Sequence, residues 1–183
     1  GLKTRSRMLG THYFMPAHIV PLVEVVLGEG SDPEVGERVC AIFRALGKKP
    51  VLVKKDIPGF LANRIQHALM REALSLIDSG IASPEDVDVA VRYSFGFRFA
   101  AIGPILQKEI SGWDTVCNAA REIYPSLSNT AEVPRCLADR VAQGKHGMKT
   151  GEGFFKWTAE GIRETRSGYD ARLKAALEIL KSG

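Results

Sequence analysis

The hydrophobic pattern changes within Pro50-Val-Leu-Val-Lys-Lys-Asp-Ile-Pro-Gly-Phe-Leu-Ala-Asn63-Arg64. Pro50 to Lys54 is a short apolar run that predicts a strand. From Asp56 onward the apolar spacing is helical and predicts a long helix that ends at Gly80. One face of this helix carries Leu61, Ile65, Leu69, Ala73 and Leu76. The change predicts a domain boundary between residues 55 and 56.

The residues before this boundary predict part of a sheet. Met8 to Tyr13 and Leu22 to Leu27 are strand-like, and Asp32 can cap a helix that starts at Pro33 and stops at Gly47. The order strand, strand, helix, strand is typical of the end of a larger α/β sheet, because so few strands leave edges unpaired. We therefore expect further strands upstream of Gly1.

The residues after the boundary predict only helices. Ser83 to Asp86 resembles a capping box that opens a second helix, and Gly103-Pro104 starts a helical stretch reaching about Tyr124, interrupted near Gly112. Two further candidates lie at 132–143 and 170–181, separated by a glycine-rich segment. The fold class expected is mainly α with a small α/β portion, residues 1–55 forming the α/β part and 56–183 the helical part.

Composition excludes several classes of protein. The 183 residues are 45% hydrophobic and 25% charged, which is ordinary for a globular protein. The net charge of +4 is scattered, without the dense basic stripe of a nucleic-acid-binding surface. No apolar run has the length of a membrane span or of a signal-peptide core, so we expect no membrane partner.

The cysteines argue for a reducing compartment. Cys40, Cys117 and Cys136 are odd in number and far apart, without CxxC spacing or a nearby histidine cluster. This pattern favours neither a disulfide framework nor a zinc site. We expect a cytoplasmic protein without a metal.

His12 and Glu24 are the candidate catalytic residues. His12 lies at the end of the first predicted strand and Glu24 lies within the second, whose other residues are apolar. Neighbouring strands can bring an imidazole and a carboxylate together, and the carboxylate then fixes the tautomer of the ring. Spacing alone also allows two unrelated residues, or a glutamate on an edge strand facing water. A glutamate buried in such a strand, however, needs a partner.

Asn63 is a candidate substrate-binding residue in the first turns of the long helix. Its amide can donate a hydrogen bond to a substrate oxygen near the domain junction. The alternative is an asparagine satisfied locally or by water. His18, His67 and His146 have no carboxylate or cysteine at ligand spacing, so we expect no site there.

Several segments, in this order, resemble the 3-hydroxyacyl-CoA dehydrogenase family. They are Gly10-Thr-His12-Tyr-Phe-Met-Pro16, Pro21-Leu-Val-Glu24-Val-Val, Lys55-Asp-Ile-Pro-Gly-Phe-Leu-Ala-Asn63-Arg64, Gly103-Pro104 and Lys149-Thr-Gly-Glu-Gly-Phe-Phe155. The resemblance implies that residues 1–55 are the end of a Rossmann-type NAD-binding domain. It implies that residues 56–183 are a helical domain, which in this family usually forms a homodimer interface.

The resemblance also implies roles for the candidate residues. His12 would take the proton from the 3-hydroxyl of an acyl-CoA substrate while hydride passes to NAD, in chemistry of the fatty-acid β-oxidation type. Glu24 would orient the ring and stabilise the imidazolium, and Asn63 would hold the reacting oxygen. The main cofactor-binding motif is expected upstream of Gly1, so the chain alone should not turn over.

Two departures from the family pattern bear on the substrate. Met15 stands before Pro16 where the family commonly has asparagine. After Gly103-Pro104 the family usually has two acidic residues; this chain keeps one, Glu109, and has Leu106 at the other position. Relatives acting on sugar acids or carnitine share the same dyad, so a gulonate- or carnitine-type hydroxy-acid dehydrogenase is the alternative enzyme. A non-catalytic dimerisation module is the alternative from another class.

Overall fold

The computed structural model of the protein describes residues 3–181. In this range the chain forms three strands and eight α-helices, besides two short 3-10 turns. The strands are β1 (Leu9–Tyr13), β2 (Leu22–Leu27) and β3 (Lys49–Val53). The helices are α1 (Pro33–Ala45), α2 (Ala62–Asp78), α3 (Pro84–Tyr93), α4 (Phe95–Ala101), α5 (Pro104–Ser111), α6 (Trp113–Ile123), α7 (Arg135–Ala142) and α8 (Ala159–Lys181). The expected class, mainly α with a small α/β portion, is confirmed.

The sheet places β2 between the other two strands. β1 pairs with β2 antiparallel and β3 pairs with β2 parallel. The register sets His12 opposite Glu24. Because β2 is covered on both sides by neighbours, Glu24 does not lie on an edge strand facing water, the alternative that the sequence left open.

Helix α1 follows the sheet and is capped as the sequence predicts. The Asp32 carboxylate accepts a hydrogen bond from the Glu34 amide, and Pro33 occupies the first turn. Gly36 faces the sheet, where an added Cβ would lie 2.8 Å from Leu52 Cδ1. A glycine at this position therefore lets α1 approach β3 closely.

The chain enters α2 through a strained turn. Gly59 has a φ of 78° and Phe60 a φ of 47°. Glycine adopts the left-handed region freely, whereas a bulky side chain there costs about 1–3 kcal/mol. The first half of the predicted apolar face is more open than the sequence suggested, since Leu61, Ile65 and Leu69 are exposed. The burial of this face begins at Ala73 and Leu74.

The start of α3 was predicted from the sequence, whereas α4 was not. Ser83 and Asp86 form the capping box before α3. Helix α4 was not predicted, because its Phe-Gly-Phe-Arg-Phe run alternates with a period of two and contains a glycine. An added Cβ on Gly96 would lie 2.6 Å from the Val91 carbonyl oxygen. Close packing against α3 therefore explains a glycine inside α4.

The last helices match the prediction in number but not in bounds. The break between α5 and α6 lies at Gly112, whose φ is 84°. Helix α7 starts later than predicted, after Pro134, and α8 starts earlier, where the Thr158 hydroxyl accepts a hydrogen bond from the Gly161 amide. The glycine-rich segment between them forms a small antiparallel arrangement in which Glu152 bridges to Gly147 and Lys156.

The described chain divides into two compact units, one ending at Ala68 and one beginning at Leu69. The boundary expected between residues 55 and 56 stays a prediction of where the two folds meet. In the first unit the core lies around β2, where Val23 and Val25 are completely buried. Among residues 3–181, no helix is long and apolar enough to cross a membrane.

Candidate active site

His12 and Glu24 form a hydrogen-bonded pair. The distance from His12 Nδ1 to Glu24 Oε2 is 2.7 Å. The His12 side chain is 29% exposed, whereas the Glu24 side chain is completely buried. The pair arises from the antiparallel register, which places the two residues directly opposite each other on adjacent strands. The sequence predicted these two residues, and the structure brings them together.

The other carboxylate oxygen of Glu24 is held by the backbone before α2. Glu24 Oε1 accepts hydrogen bonds from the Leu61 amide at 3.0 Å and the Ala62 amide at 2.8 Å. Such charge-assisted bonds compensate for the loss of water around a buried carboxylate. Both amides lie at the N-terminus of α2, where the helix dipole also favours a negative charge. Glu24 is therefore fully partnered and rigidly placed.

Two aromatic rings flank the histidine. The ring centroids of His12 and Phe14 lie 4.8 Å apart in an edge-on arrangement, and those of His12 and Phe60 lie 5.5 Å apart. Sequence reasoning missed both phenylalanines as site residues. Their only signal is position, one directly after the histidine strand and the other in the Pro58-Gly59-Phe60 turn.

The geometry specifies which ring nitrogen can do chemistry. Because Glu24 is an acceptor at Nδ1, the Nδ1 atom carries the proton in the neutral ring, and Nε2 has the free lone pair. The Nε2 atom of such a ring can accept a proton from a substrate hydroxyl. The resulting imidazolium would face the buried carboxylate of Glu24. The pair is therefore arranged as a general base with an orienting carboxylate.

Asn63 occupies the second position of α2, directly after the amide of Ala62 that binds Glu24. Its side chain is half-buried. Within residues 3–181 it has no hydrogen-bond partner, which leaves the amide available for a ligand. Its role in substrate binding stays a prediction.

Three further histidines lie outside the His12–Glu24 pair. His18 and His67 are exposed. His146 Nε2 lies 3.4 Å from the Val141 carbonyl oxygen. No group of three or more potential metal ligands occurs in the part of the chain that the structure describes.

The two more buried cysteines are poor nucleophiles. Burial raises the pKa of the Cys40 thiol, and the nearby Glu37 carboxylate adds to the effect. Burial also raises the pKa of Cys136, together with a hydrogen bond to Asp78. A raised pKa lowers the fraction of reactive thiolate at neutral pH. Both cysteines are free thiols.

Two family models match the chain in succession. The model of the 3-hydroxyacyl-CoA dehydrogenase NAD binding domain matches residues 1–57, and that of the 3-hydroxyacyl-CoA dehydrogenase C-terminal domain matches residues 59–157. His12 and Glu24 fall in the first match and Asn63 in the second. The first match identifies NAD as the cofactor, as the sequence led us to expect.

Curated relatives with different substrates are similar to this chain. The 5-formyl-3-hydroxy-2-methylpyridine 4-carboxylate 5-dehydrogenase of Mesorhizobium japonicum is 35% identical over 96% of this chain and 57% of its own length. An L-carnitine dehydrogenase of Oceanobacillus iheyensis is 40% identical over 79% of this chain and 49% of its own. A 3-hydroxyacyl-CoA dehydrogenase of Gibberella moniliformis is 43% identical over 58% of this chain and 33% of its own. The chain thus spans between 33% and 57% of the length of these relatives.

Two solved structures are also similar to this chain. A crystal structure of the pyridine carboxylate dehydrogenase, described as an NAD+-dependent dismutase, aligns with a TM-score of 0.94 at 35% identity, covering 96% of this chain and 57% of the other. A 3-hydroxyacyl-CoA dehydrogenase from Archaeoglobus fulgidus aligns with a TM-score of 0.62 at 29% identity, covering 98% of this chain and 61% of the other.

Proposed function

Because this chain belongs to the 3-hydroxyacyl-CoA dehydrogenase family, we propose that the complete protein oxidises a substrate hydroxyl with NAD and that His12 and Glu24 transfer the proton. The observation that carries this proposal is the 2.7 Å contact between His12 Nδ1 and the completely buried Glu24 carboxylate. A non-catalytic dimerisation module would have no need for a desolvated carboxylate aimed at an imidazole.

The proton and the hydride leave the substrate by separate routes. His12 Nε2 accepts the hydroxyl proton, while NAD, when bound, supplies the acceptor for the hydride of the same carbon. Loss of both converts the alcohol to a carbonyl. The chemistry of the residues fits this cofactor, because hydride removal from an alcohol requires a base at the hydroxyl. General-base assistance of this kind contributes roughly 10²–10⁴ in rate.

Glu24 acts through His12. Its Oε2 holds the proton on Nδ1, and its negative charge stabilises the imidazolium formed during turnover. The amides of Leu61 and Ala62 keep Oε1 in place, so the carboxylate does not turn away as the ring charges. We assign Asn63 to the substrate oxygen, because its side-chain amide has no hydrogen-bond partner among residues 3–181 and lies in the first turn of the helix that anchors Glu24.

The substrate expected from the family name is a 3-hydroxyacyl-CoA, which would give the protein a role in chemistry of the β-oxidation type. The relatives that match most of this chain favour a smaller substrate that carries a carboxylate, as carnitine and the pyridine carboxylate do. The same proton transfer serves each of them, since a hydrated formyl group also presents a hydroxyl on the carbon that loses hydride. We propose the small carboxylate as the leading candidate and the acyl-CoA as the alternative.

We also propose a reducing compartment and a homodimer. Three free cysteines favour a reducing compartment such as the cytoplasm. The large apolar side chains exposed on the helical unit favour a homodimer through that unit.

The test uses the complete protein with NAD and a substrate panel. We expect turnover with L-carnitine or a pyridine carboxylate to exceed turnover with 3-hydroxybutyryl-CoA. The reverse order would make the acyl-CoA the substrate. The variant His12→Gln should lower kcat by roughly 10²–10⁴ without changing NAD affinity. A matched variant, His67→Gln, alters an exposed histidine and should keep full activity. Unchanged turnover in His12→Gln would contradict the proposed dyad.

A further inference from the structure

Phe60 adopts a backbone conformation that its side chain disfavours. Its φ of 47° is in the left-handed region, and among residues 3–181 no other residue except glycine has a positive φ. Glycine would adopt this conformation without strain. A bulky residue persists there only when its surroundings impose the conformation, and such positions concentrate at functional sites. The side chain of Phe60 therefore merits a functional explanation.

The hydrogen bonds around Phe60 hold the turn in place. The Phe60 amide donates to the Ile57 carbonyl at 2.9 Å, and the Arg64 amide donates to the Gly59 carbonyl at 3.2 Å. The two consecutive left-handed residues, Gly59 and Phe60, precede the amides of Leu61 and Ala62 that bind Glu24. The backbone of the turn thus orients Glu24, and a glycine at position 60 would meet this need as well. The aromatic ring must serve another purpose.

The ring contacts the histidine. The Phe60 and His12 centroids are 5.5 Å apart, at an interplanar angle of 54°. The hydrogen bond to Glu24 fixes the position of the His12 Nδ1 atom. It does not prevent the imidazole ring from tilting about the line from Nδ1 to Oε2. Tilting of the ring would displace Nε2, the atom that accepts the substrate proton. Phe60, together with Phe14 at 4.8 Å, supplies contacts that oppose this motion.

We propose that Phe60 is a positioning residue that holds the imidazole of His12 so that Nε2 points at the substrate hydroxyl. This inference rests on the proposed function of His12. The strained turn before α2 then orients the dyad through two contacts: backbone amides fix the carboxylate, and the Phe60 ring fixes the imidazole. The ring has no proton to transfer, so its whole effect on turnover passes through His12.

The experiment compares three variants at position 60 in the complete protein with NAD. Phe60→Leu keeps an apolar side chain but loses the flat ring, Phe60→Gly also removes the strain, and Phe60→Tyr keeps the ring. Because misplacement of a catalytic group by about 1 Å can cost on the order of 10²-fold, we expect Phe60→Leu and Phe60→Gly to lower kcat by roughly ten- to a hundredfold. KM should change by less than about twofold, since the ring acts on the base and not on substrate affinity. Phe60→Tyr should retain most of the activity.

Thermal unfolding separates positioning from a purely structural role. Phe60→Gly relieves the strained φ, so its Tm should equal or exceed that of Phe60→Leu, while both lose turnover. A larger Tm loss in Phe60→Gly than in Phe60→Leu, or normal kcat in either folded variant, would overturn the proposal. The control Phe97→Leu changes an exposed phenylalanine on α4 and should keep normal kcat.

His12→Gln, measured in parallel, distinguishes the two proposals. If His12→Gln keeps full turnover, the proposed function itself is wrong. If His12→Gln loses at least about a hundredfold while Phe60→Leu is unaffected, only the role of Phe60 is wrong.

Discussion

The two compact units differ in how completely they bury their apolar residues. Around β2, side chains from Val23 to Leu27 are buried without interruption. From Leu69 onward, the buried residues in the described part of the chain are Ala73, Leu74 and Gln107. Large apolar side chains on the helices are instead open, and Ile110 on α5 is 76% exposed. The first unit forms its own core around β2 and Glu24, whereas the helical unit exposes large apolar side chains.

The difference in burial has a physical reason in each unit. A buried carboxylate must keep every hydrogen bond, and this demands a closed and rigid setting. Glu24 has that setting in the middle of the sheet. Short helices without a sheet bury less of their surface and retain apolar faces suited to association. The contrast predicts that substitutions in the two units have different consequences.

The largest effect should come from Glu24→Gln. A glutamine oxygen that accepts from the Leu61 and Ala62 amides leaves its NH₂ facing His12, which forces the ring proton onto Nε2 and blocks the base. We expect kcat to fall by roughly 10²–10⁴, as for other orienting carboxylates. Steady-state kinetics on the complete protein measures this. Glu29→Gln, at an exposed position, is the matched control, and equal activity of the two variants would remove Glu24 from the mechanism.

Next in size is a pair of stability measurements. Val25→Ala removes two buried methyl groups from the centre of the sheet and should lower the free energy of unfolding by about 2–3 kcal/mol. Ile110→Ala, on the exposed face of α5, should cost less than about 0.5 kcal/mol in the monomer. Chemical denaturation at low protein concentration gives both values. Equal losses would show that the contrast in burial does not hold in solution.

Substitutions in the helical unit should weaken the proposed homodimer. The double variant Leu106→Asp with Ile110→Asp places two charges on the exposed face of α5. If this face takes part in the proposed homodimer, we expect at least about a tenfold rise in the dimer dissociation constant. Analytical ultracentrifugation measures it. A dimer of unchanged affinity would exclude this face, and a monomeric wild-type protein would exclude the dimer.

The smallest effect concerns pH and the segment before α8. A hydrogen bond from Lys145 lowers the pKa of the Glu152 carboxyl, and the positive charge of Lys145 adds to the effect. A lowered pKa contributes stability that is present above the ordinary carboxyl range and is lost as pH falls through the lowered value. Because the pair is exposed, the contribution is small. The Tm advantage of the wild type over Glu152→Gln should therefore shrink in acid, and an advantage that grew would contradict the assignment.

Much of the site could be predicted from the sequence because its cues are local. A glutamate among valines signals a buried charge that needs a partner, and a histidine at the end of the preceding strand is a plausible partner. The caps at Asp32 and Ser83 are equally local. Helix α4 escaped prediction because its glycine is explained only by the approach to Val91. The open face of Leu61, Ile65 and Leu69 escaped because helical spacing shows which residues share a face but not what covers it.

By itself, the sequence determined the type and order of the strands and the mainly helical remainder, since periodicity and caps are properties of short segments. It named His12 and Glu24 as candidates, but local patterns left their pairing open. The tertiary structure alone decided the antiparallel register that sets the pair face to face. It also decided the two backbone donors to Glu24 and the strained Phe60 ring beside His12. Such contacts join residues far apart in the chain, and no local pattern specifies where a distant amide or ring will lie.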